Sequence, residues 1–471
     1  MPDRYDTIRT QLEAHGQSHL LEGWTALDAS QRTNLLDEIQ LLPWQEIQHA
    51  WDMVQCDSAP VAGSADLEPP ELCTPDMAVQ TRLRAQGEEW IAAGRVAAFT
   101  VAGGQGTRLG WNGPKGTYPA TPVSGKPLFA CFAEQILATN RRYGVEVPWY
   151  ILTSPENDSV TRNFFLDNKC FGLERNSIML CIQGTMPVFE QGTGRLMLSA
   201  PDRIATSPDG HGGSLAALSR SGALDDMDVR GVDVISYAQV DNPLARMIDP
   251  VFIGLHADAS CSSAEVTSKM VEKTDSEERV GVFARRNGRL GVVEYSDLSA
   301  KESADVGGDG RLRFHAGNIA IHLLGRSFVE RVLADGELGL PWHRAVKSMS
   351  VWDPAAGCMV EPTSPNVIKL ERFIFDVLGR AERSAVLPVE RSAEFAPIKN
   401  AQGQDSPETS RRLQSDLHGL WLEECGVEVP RDVQGHVDAA VEICPLTAMQ
   451  PKDLEQHDLP SHVARGAALL L

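Results

Sequence analysis

The sequence predicts an α/β fold built on a mixed, mainly parallel sheet, and three observations predict it. Short, continuous apolar runs recur between residues 96 and 240, segments of helical spacing alternate with them, and a glycine-dense loop follows the first run. A strand that is apolar at every position is covered on both faces, as in a parallel sheet flanked by its crossover helices. The chain has 471 residues, 42% hydrophobic and 23% charged. That composition supports a large core and excludes whole-chain disorder, collagen and coiled coil.

The elements follow in order. Residues 1–60 read as an N-terminal helical segment, because Tyr5, Ile8 and Leu12, then Leu20, Leu21, Trp24 and Leu27, then Leu35, Leu36 and Ile39 recur at three- and four-residue spacing. The stretch 57–75 holds four prolines without periodicity and reads as a linker. A catalytic domain is expected over 61–400. Its first strand is VAAFTV (96–101), followed by the glycine-rich loop and a helix near 126–141 with Leu128, Phe132 and Ile136 on one face. The next strand is VPWYILT (147–153). Ser154-Pro155 then supplies an N-cap and first helical residue for a helix through Phe164 and Phe165. Strands are expected at 178–182 and 233–240, and Asp249-Pro250 opens a helix after the second. Segments 264–271, 280–285 and 290–295 read as antiparallel strands added to the sheet. AQGQDSPETS then leads into a small C-terminal domain, 401–471, whose fold the pattern does not reveal.

Charge and cysteine usage narrow the function classes. Lys plus Arg number 43 against 64 Asp plus Glu, a net charge of −21. Nucleic-acid binding is disfavoured, since phosphate-backbone affinity rests on clustered cations, whereas a small anionic substrate needs only a local basic pocket. The 9 cysteines are scattered and lack a C-x-x-C. This is the usage of a reducing compartment, with neither a disulfide framework nor a zinc site. MPDRYDTIRTQ has no apolar region, and no run approaches the ~18 residues of a membrane span, so a cytoplasmic protein without a membrane partner is expected.

Most of the chemistry lies in V101-A-G-G-Q-G-T-R-L-G-W-N-G-P-K115. Gly103, Gly104, Gly106, Gly110 and Gly113 let backbone N–H groups approach phosphate oxygens, while Arg108 and Lys115 add side-chain charge. Two known phosphate loops fail. No G-K-[ST] occurs, which excludes Walker A, and a dinucleotide fingerprint starting at Gly104 would need glycine where Leu109 stands. Asp241 ends the apolar strand VISYAQV, where an open α/β sheet presents its ligands. A carboxylate there suits Mg²⁺ among phosphates, although Asp241-Asn242-Pro243 also reads as a simple turn.

A-G-G-Q-G-T-R-L-G followed by P-K-G resembles the signature of UTP-dependent sugar-1-phosphate uridylyltransferases, and most of all the eukaryotic-type UDP-N-acetylhexosamine pyrophosphorylases. The likeness runs along nearly the whole chain through GQSHLLEGW, FGL (171–173), SPDGHGG (207–213), VDNPL (240–244), VEKTDSEERVGV (271–282), VVEYSDL (292–298), HAGNIA (315–320), ERFIFD (371–376) and EFAPIKN (394–400). It implies a Rossmann-like nucleotide-diphospho-sugar transferase fold and attack of a sugar-1-phosphate on UTP with release of pyrophosphate, assisted by Mg²⁺.

The resemblance also implies roles. Arg108, Lys115, Lys369 and Lys399 would meet the phosphates, and Asp241 would hold the metal. The loop at Gly103, Gly104, Gly106 and Thr107, with Gly210, would contact the nucleotide, and Gln183 would read the uracil edge. Glu294, Tyr295 and Asn318 would meet sugar hydroxyls. Phe373 and Phe375 would border an N-acetyl group, with His211 and Gly212 nearby. Lys399, at the junction with the C-terminal domain, could couple closure of that domain to binding. One position departs from the pattern: His211 stands where the acetylhexosamine enzymes carry Asn in P-D-G-N-G-G, and is closer to glucose-1-phosphate uridylyltransferases. The first reading is therefore N-acetylglucosamine-1-phosphate, the second is glucose-1-phosphate or another hexose-1-phosphate, and a non-catalytic nucleotide-sugar sensor is a third. A monomer and a homodimer fit equally.

Overall fold

The computed structural model describes residues 4–56, 67–308, 310–334 and 340–471. The chain divides into two compact units that interleave in sequence. One comprises Ser64–Ile182, Ala217–Val332 and Val377–Leu471, the other Met1–Gly63, Gln183–Ala216 and Leu333–Asp376. This division differs from three consecutive segments at 1–60, 61–400 and 401–471.

The first unit is organised by a ten-stranded sheet. Four strands run parallel in the order Ile178–Ile182, Trp149–Thr153, Val96–Val101, Val234–Gln239. Val96–Val101 and Trp149–Thr153 are almost wholly buried, which accounts for their unbroken apolar sequence. Ala316–Gly325 pairs antiparallel with Val234–Gln239 and with Val266–Glu272. Val282–Arg286 and Arg289–Val293 form a hairpin, as expected. Sequence reading did not resolve Ala316–Gly325 or Ala385–Pro388 as strands. The first carries Gly, Asn and His among its apolar residues, and the second is only four residues long.

Trp149, Phe129, Phe165 and Phe171 form an aromatic cluster in the core. Trp149 Nε1 donates to Thr100 Oγ1 at 2.8 Å, so its one polar atom is satisfied in the core. The helix after Trp149–Thr153 starts later than Ser154-Pro155 suggests. It spans Asp158–Asp167, with Asn157 at the cap position. Asn157 Oδ1 accepts from Ser154 N, and its Nδ2 donates to Ala102 O. The side chain is therefore spent tying two strand ends together. Asp249 and Pro250 do open the helix Pro250–Ala257.

The expected linker 57–75 lies outside the described residues over 57–66, and the rest is bound to the sheet. Leu67 and Glu68 pair with Arg286 and Arg285, and Cys73 N donates to Val386 O. Residues 401–471 fold as the helix Pro407–Glu424, opened by a Ser406 capping box, and a parallel pair Ala440–Glu442 with Ala468–Leu470. Glu442 accepts from Val123 N and Ser124 N at 2.9 and 2.8 Å, so this region is joined to the loop before the Leu128–Tyr143 helix.

In the second unit the helices Arg4–Ala14, Ala29–Leu41 and Trp44–Cys56 supply Ile8, Leu12, Leu36, Ile39 and Ile47 to a core shared with Phe189, Leu198, Ile368 and Leu370. The expected helical segment is helical, but its apolar face is covered by short sheets. One of these orders His343–Lys347, Val367–Glu371 and Phe189–Glu190.

The helices Met77–Ala92 and Pro250–Ala257 cross at two glycines. A Cβ at Gly87 would lie 1.9 Å from Pro250 O, and one at Gly254 would lie 1.9 Å from Leu83 O. Alanine gains about 1 kcal/mol of helix propensity over glycine, but overpacking against backbone costs about 1–3 kcal/mol or more. Gly87→Ala is therefore expected to be destabilising in urea unfolding. Unchanged or increased stability would show that the helices can separate at little cost.

Candidate active site

The glycine-rich loop turns back on itself. Lys115 N donates to Gly104 O at 3.0 Å, and Gly106 N donates to Gly113 O at 2.9 Å. A Cβ at Gly106 would sit 2.7 Å from the Trp111 side chain, so glycine is required where the indole folds over the turn. Trp111 Nε1 donates to Thr117 Oγ1 at 2.9 Å, which fixes that ring. Gly104 has open space around its α-carbon, and Gly104, Thr107 and Arg108 are exposed. Among the described residues the Arg108 guanidinium has no hydrogen-bond or ion-pair partner.

Parallel pairing sets Gln239 beside Val101, so both strands end at the same edge. Asp241 and the loop emerge there together. Lys115 Nζ donates to Asp241 Oδ2 at 3.1 Å, with both side chains less than a fifth exposed. Burial opposes ionisation of Asp241, but Lys115 and then Lys399 overcome it and hold the carboxyl below its ordinary range. Ile398 N donates to Asp241 O at 2.8 Å, bringing in Lys399, whose Nζ lies 5.5 Å from the Phe395 ring centre. Lys399 also lines a cavity of about 150 Å³ with Glu278, Arg279, Asn400 and Asp405. The structure thus gathers Lys115, Asp241 and Lys399 from positions up to 284 residues apart (399 − 115) beside the loop.

Glu294 and Asn318 meet around Gly281 in the same unit. Asn318 N donates to Gly281 O at 2.8 Å, and a Cβ on Gly281 would lie 3.2 Å from Glu294 Oε1. Asn318 Oδ1 accepts from Ala320 N, leaving Nδ2 as the amide's remaining donor. Tyr295, next along the chain, is exposed.

In the second unit, Pro208–Gly213 is pressed against the backbone of Arg372 and Phe373. Gly210 has φ +81°, and its Cβ would lie 2.3 Å from Arg372 O. Gly212 N donates to Arg372 O, and Arg372 N donates to Asp209 O. Gln183 is buried, and its Nε2 donates to Gly210 O at 2.8 Å and Asp209 Oδ1 at 3.2 Å. Both amide hydrogens are committed, so Oε1 is the atom left for a ligand. As it is oriented here, the side chain could offer a ligand an acceptor but no donor.

His211 belongs to an aromatic stack. Its ring lies 5.2 Å from Phe373 and 5.6 Å from Phe375, while Phe373 stacks on His343 at 4.2 Å. Ile374 N donates to His211 Nδ1 at 3.1 Å, so the neutral ring carries its proton on Nε2. Burial, reinforced by His343, pushes the His211 pKa down to about 4. His211 is therefore a neutral donor at ordinary pH. Phe375 is buried and Phe373 half-buried, so of the two rings Phe373 presents the more open surface. Lys369 lies on the strand Val367–Glu371 and has no hydrogen-bond or ion-pair partner among the described residues.

The expected residues divide between the two units. Arg108, Lys115, Asp241, Lys399, Glu294, Tyr295 and Asn318 are in the sheet unit; Gln183, Gly210, His211, Gly212, Lys369, Phe373 and Phe375 are in the other. Sequence reasoning did not single out Asp209, Arg372 or His343. Arg372 is buried between the Trp342 ring at 3.8 Å and Glu46 at 3.0 Å, and His343 Nε2 lies 2.8 Å from Asp376 Oδ2. Asp209, Arg372 and Asp376 sit inside SPDGHGG and ERFIFD, but only contacts distant in sequence distinguish them from their neighbours.

Comparison with known proteins gives this geometry a context. A family model described as UTP–glucose-1-phosphate uridylyltransferase matches residues 66–413. A Homo sapiens protein named UDP-N-acetylhexosamine pyrophosphorylase-like protein 1 is 35% identical over 482 residues, spanning 95% of this chain and 94% of its own. A Saccharomyces cerevisiae protein named UDP-N-acetylglucosamine pyrophosphorylase is 34% identical, spanning 90% and 92%. The crystal structure of the uridine diphosphate N-acetylglucosamine pyrophosphorylase from Trypanosoma brucei superposes with a TM-score of 0.80 at 25% identity, covering 100% of this chain and 98% of that one. The α/β fold is thus that of a nucleotidyltransferase, and the chain belongs to the UTP–glucose-1-phosphate uridylyltransferase family.

Proposed function

We propose that this chain transfers a uridylyl group from UTP to N-acetylglucosamine-1-phosphate, forming UDP-N-acetylglucosamine and pyrophosphate. The observation that carries it is the cluster of Lys115, Asp241 and Lys399 beside the exposed glycine loop. It stands in a chain related over nine-tenths of its length to a protein named for that product.

In-line attack of the sugar phosphate oxygen on the α-phosphorus needs no enzyme nucleophile. It needs two anions aligned, their charge offset and a stabilised leaving group. Arg108, unpaired at the loop surface, and Lys115 and Lys399 are proposed to meet the phosphates. Backbone N–H groups at Gly103, Gly104, Gly106 and Thr107 would add donors. Lys369 is proposed as a further phosphate ligand. Glu294, Asn318 and Tyr295 would bind sugar hydroxyls, Gln183 Oε1 would accept from the imide N–H of uracil, and Gly210 would lie near the nucleoside. His211 Nε2–H, with Gly212, Phe373 and Phe375, would contact the sugar.

Mg²⁺ fits as a partly protein-held ion. Among the described residues no three His, Cys, Asp or Glu side chains group to hold a metal, but Mg²⁺ commonly takes one or two carboxylates and completes its shell with phosphate oxygens and water. Asp241 is the carboxylate proposed. When bound, the ion would offset phosphate charge. No helix among the described residues is long and apolar enough to cross a membrane, and a cytoplasmic location is part of this proposal.

A second reading, uridylyl transfer to glucose-1-phosphate, is favoured by His211 alone. Pyrophosphate release from UTP and Mg²⁺ should be fastest with N-acetylglucosamine-1-phosphate and should stop in excess chelator. A glucose-1-phosphate preference would establish the second reading, and no release with any sugar would favour a sensor. Lys115→Ala is expected to lower kcat by about 10²–10³-fold, the loss seen when one transition-state donor is removed. A change confined to UTP affinity would argue for binding without catalysis. For His211, a folded pKa of about 4 against about 6.5 unfolded means the unfolded chain binds the proton first. The resulting stability is present above about 6.5 and lost as pH falls towards 4. His211→Gln should flatten the pH dependence of urea unfolding in that window, leaving what His256 and His418, also at about 4, contribute. An unchanged slope would show that His211 protonates freely.

A further inference from the structure

Lys269 has no role in the reaction as described, yet it is the most completely buried cation of the sheet unit. It lies on Val266–Glu272 with no side-chain exposure. Its Nζ donates to Asp249 Oδ2 at 2.7 Å and to both Glu394 oxygens at 2.8 and 2.7 Å, and it stands 5.0 Å from the Phe252 ring centre. Three donors meet three carboxylate oxygens, so the ammonium is satisfied. Burial opposes ionisation of Asp249, but Lys269 and Arg246 hold its carboxyl well below the ordinary range. Buried ion groups of this kind are weak sources of stability, because desolvation offsets most of the attraction and apolar replacements are often as stable. What such a group does impose is geometry.

That geometry leads directly to Asp241 and Lys399. Glu394 ends the short helix Arg391–Glu394. Its backbone O accepts from Asn242 Nδ2 at 2.7 Å, and Ala396 N donates to Asn242 Oδ1 at 3.0 Å. Two residues on, Ile398 N donates to Asp241 O, and Lys399 follows. Asn242 is buried, and Ser410 Oγ holds Ala396 O from the Pro407–Glu424 helix at 2.7 Å. The strap 394–398 is therefore hydrogen-bonded along Asp241–Asn242, and Lys269 holds its first residue. Asp249, the third member, caps the next helix through Val251 N.

We propose that Lys269 is a positioning residue: its buried ion triad with Asp249 and Glu394 holds the 394–398 strap in register with Asp241–Asn242, and so sets where Asp241 and Lys399 stand. This rests on the reading that Asp241 and Lys399 serve uridylyl transfer.

The test is a cycle of variants assayed for pyrophosphate release with UTP, Mg²⁺ and N-acetylglucosamine-1-phosphate. Asp249→Asn, Lys269→Met and Glu394→Gln together remove the triad's three charges and retain a capping side chain at 249, while Arg246, the other cation facing Asp249 and Glu394, keeps its charge. The folded triple variant should lose about 10- to 100-fold in kcat, the loss that follows a displacement of ~1 Å, with a smaller change in KM for UTP. In a Lys399→Ala background the same three changes should cost less than they do alone, because the part of their effect carried by Lys399 is already removed. Glu394→Gln alone should show a smaller loss of the same kind, and it supplies the measurement if the triple variant does not fold. An unchanged kcat, or losses that multiply with Lys399→Ala, would overturn the positioning role. If Lys399→Ala and Asp241→Asn each leave kcat unchanged, the reading beneath it falls, and this inference with it. Loss on Lys399→Ala beside a fully active triple variant sinks this inference alone.

Discussion

The sheet unit depends on one pairing, the parallel register that sets Gln239 against Val101. Because the two strands end together, the chain after one becomes the glycine-rich loop and the chain after the other begins with Asp241. A shift by one residue would turn every side chain of the strand to the other face, so burial of both faces holds the register. The Lys115–Asp241 pair is its local consequence: a cation from the loop and a carboxylate from the strand end, both largely shielded from water. Shielding makes their attraction stronger than at a surface and leaves few positions for either group.

Around that pair the fold gathers further charge. Arg108 has no partner among the described residues, Lys399 is delivered by the Phe395–Ile398 segment, and Asp241 is kept ionised by both lysines. The net charge of −21 would repel a nucleotide triphosphate at long range, so these few cations must act at short range, within the Debye length of about 8 Å at physiological salt. The second unit uses different chemistry. Gly210 and Gly212 lie flat against the backbone of Arg372 and Phe373, and a stack of His343, Phe373 and His211 leaves a neutral imidazole N–H at its end. Such a site offers donor position and ring surface, with no fixed charge on His211.

The sequence by itself determined the parallel strands, because residues covered on both faces must be apolar at every position, as Val96–Val101 is. It determined the loop for a related reason: glycine at 106 is required by the Trp111 ring that folds over it, and the loop lies between an apolar run and an amphipathic helix that are both readable locally. Asp249-Pro250 was legible because capping is decided within a few residues. Local rules failed where the competing partner was distant. Ser154-Pro155 resembles a helix start, but Asn157 is drawn to Ala102 and the helix begins later. Residues 67–75 resemble a linker, but the strand Val282–Arg286 recruits two of them. Only the tertiary structure decided that Gln183 has no amide hydrogen to spare, that His211 carries its proton on Nε2, and that Lys269 meets Glu394 from 125 residues away (394 − 269). Each depends on a hydrogen-bond partner far along the chain, and a sequence pattern that repeats every two or 3.6 residues carries no record of it.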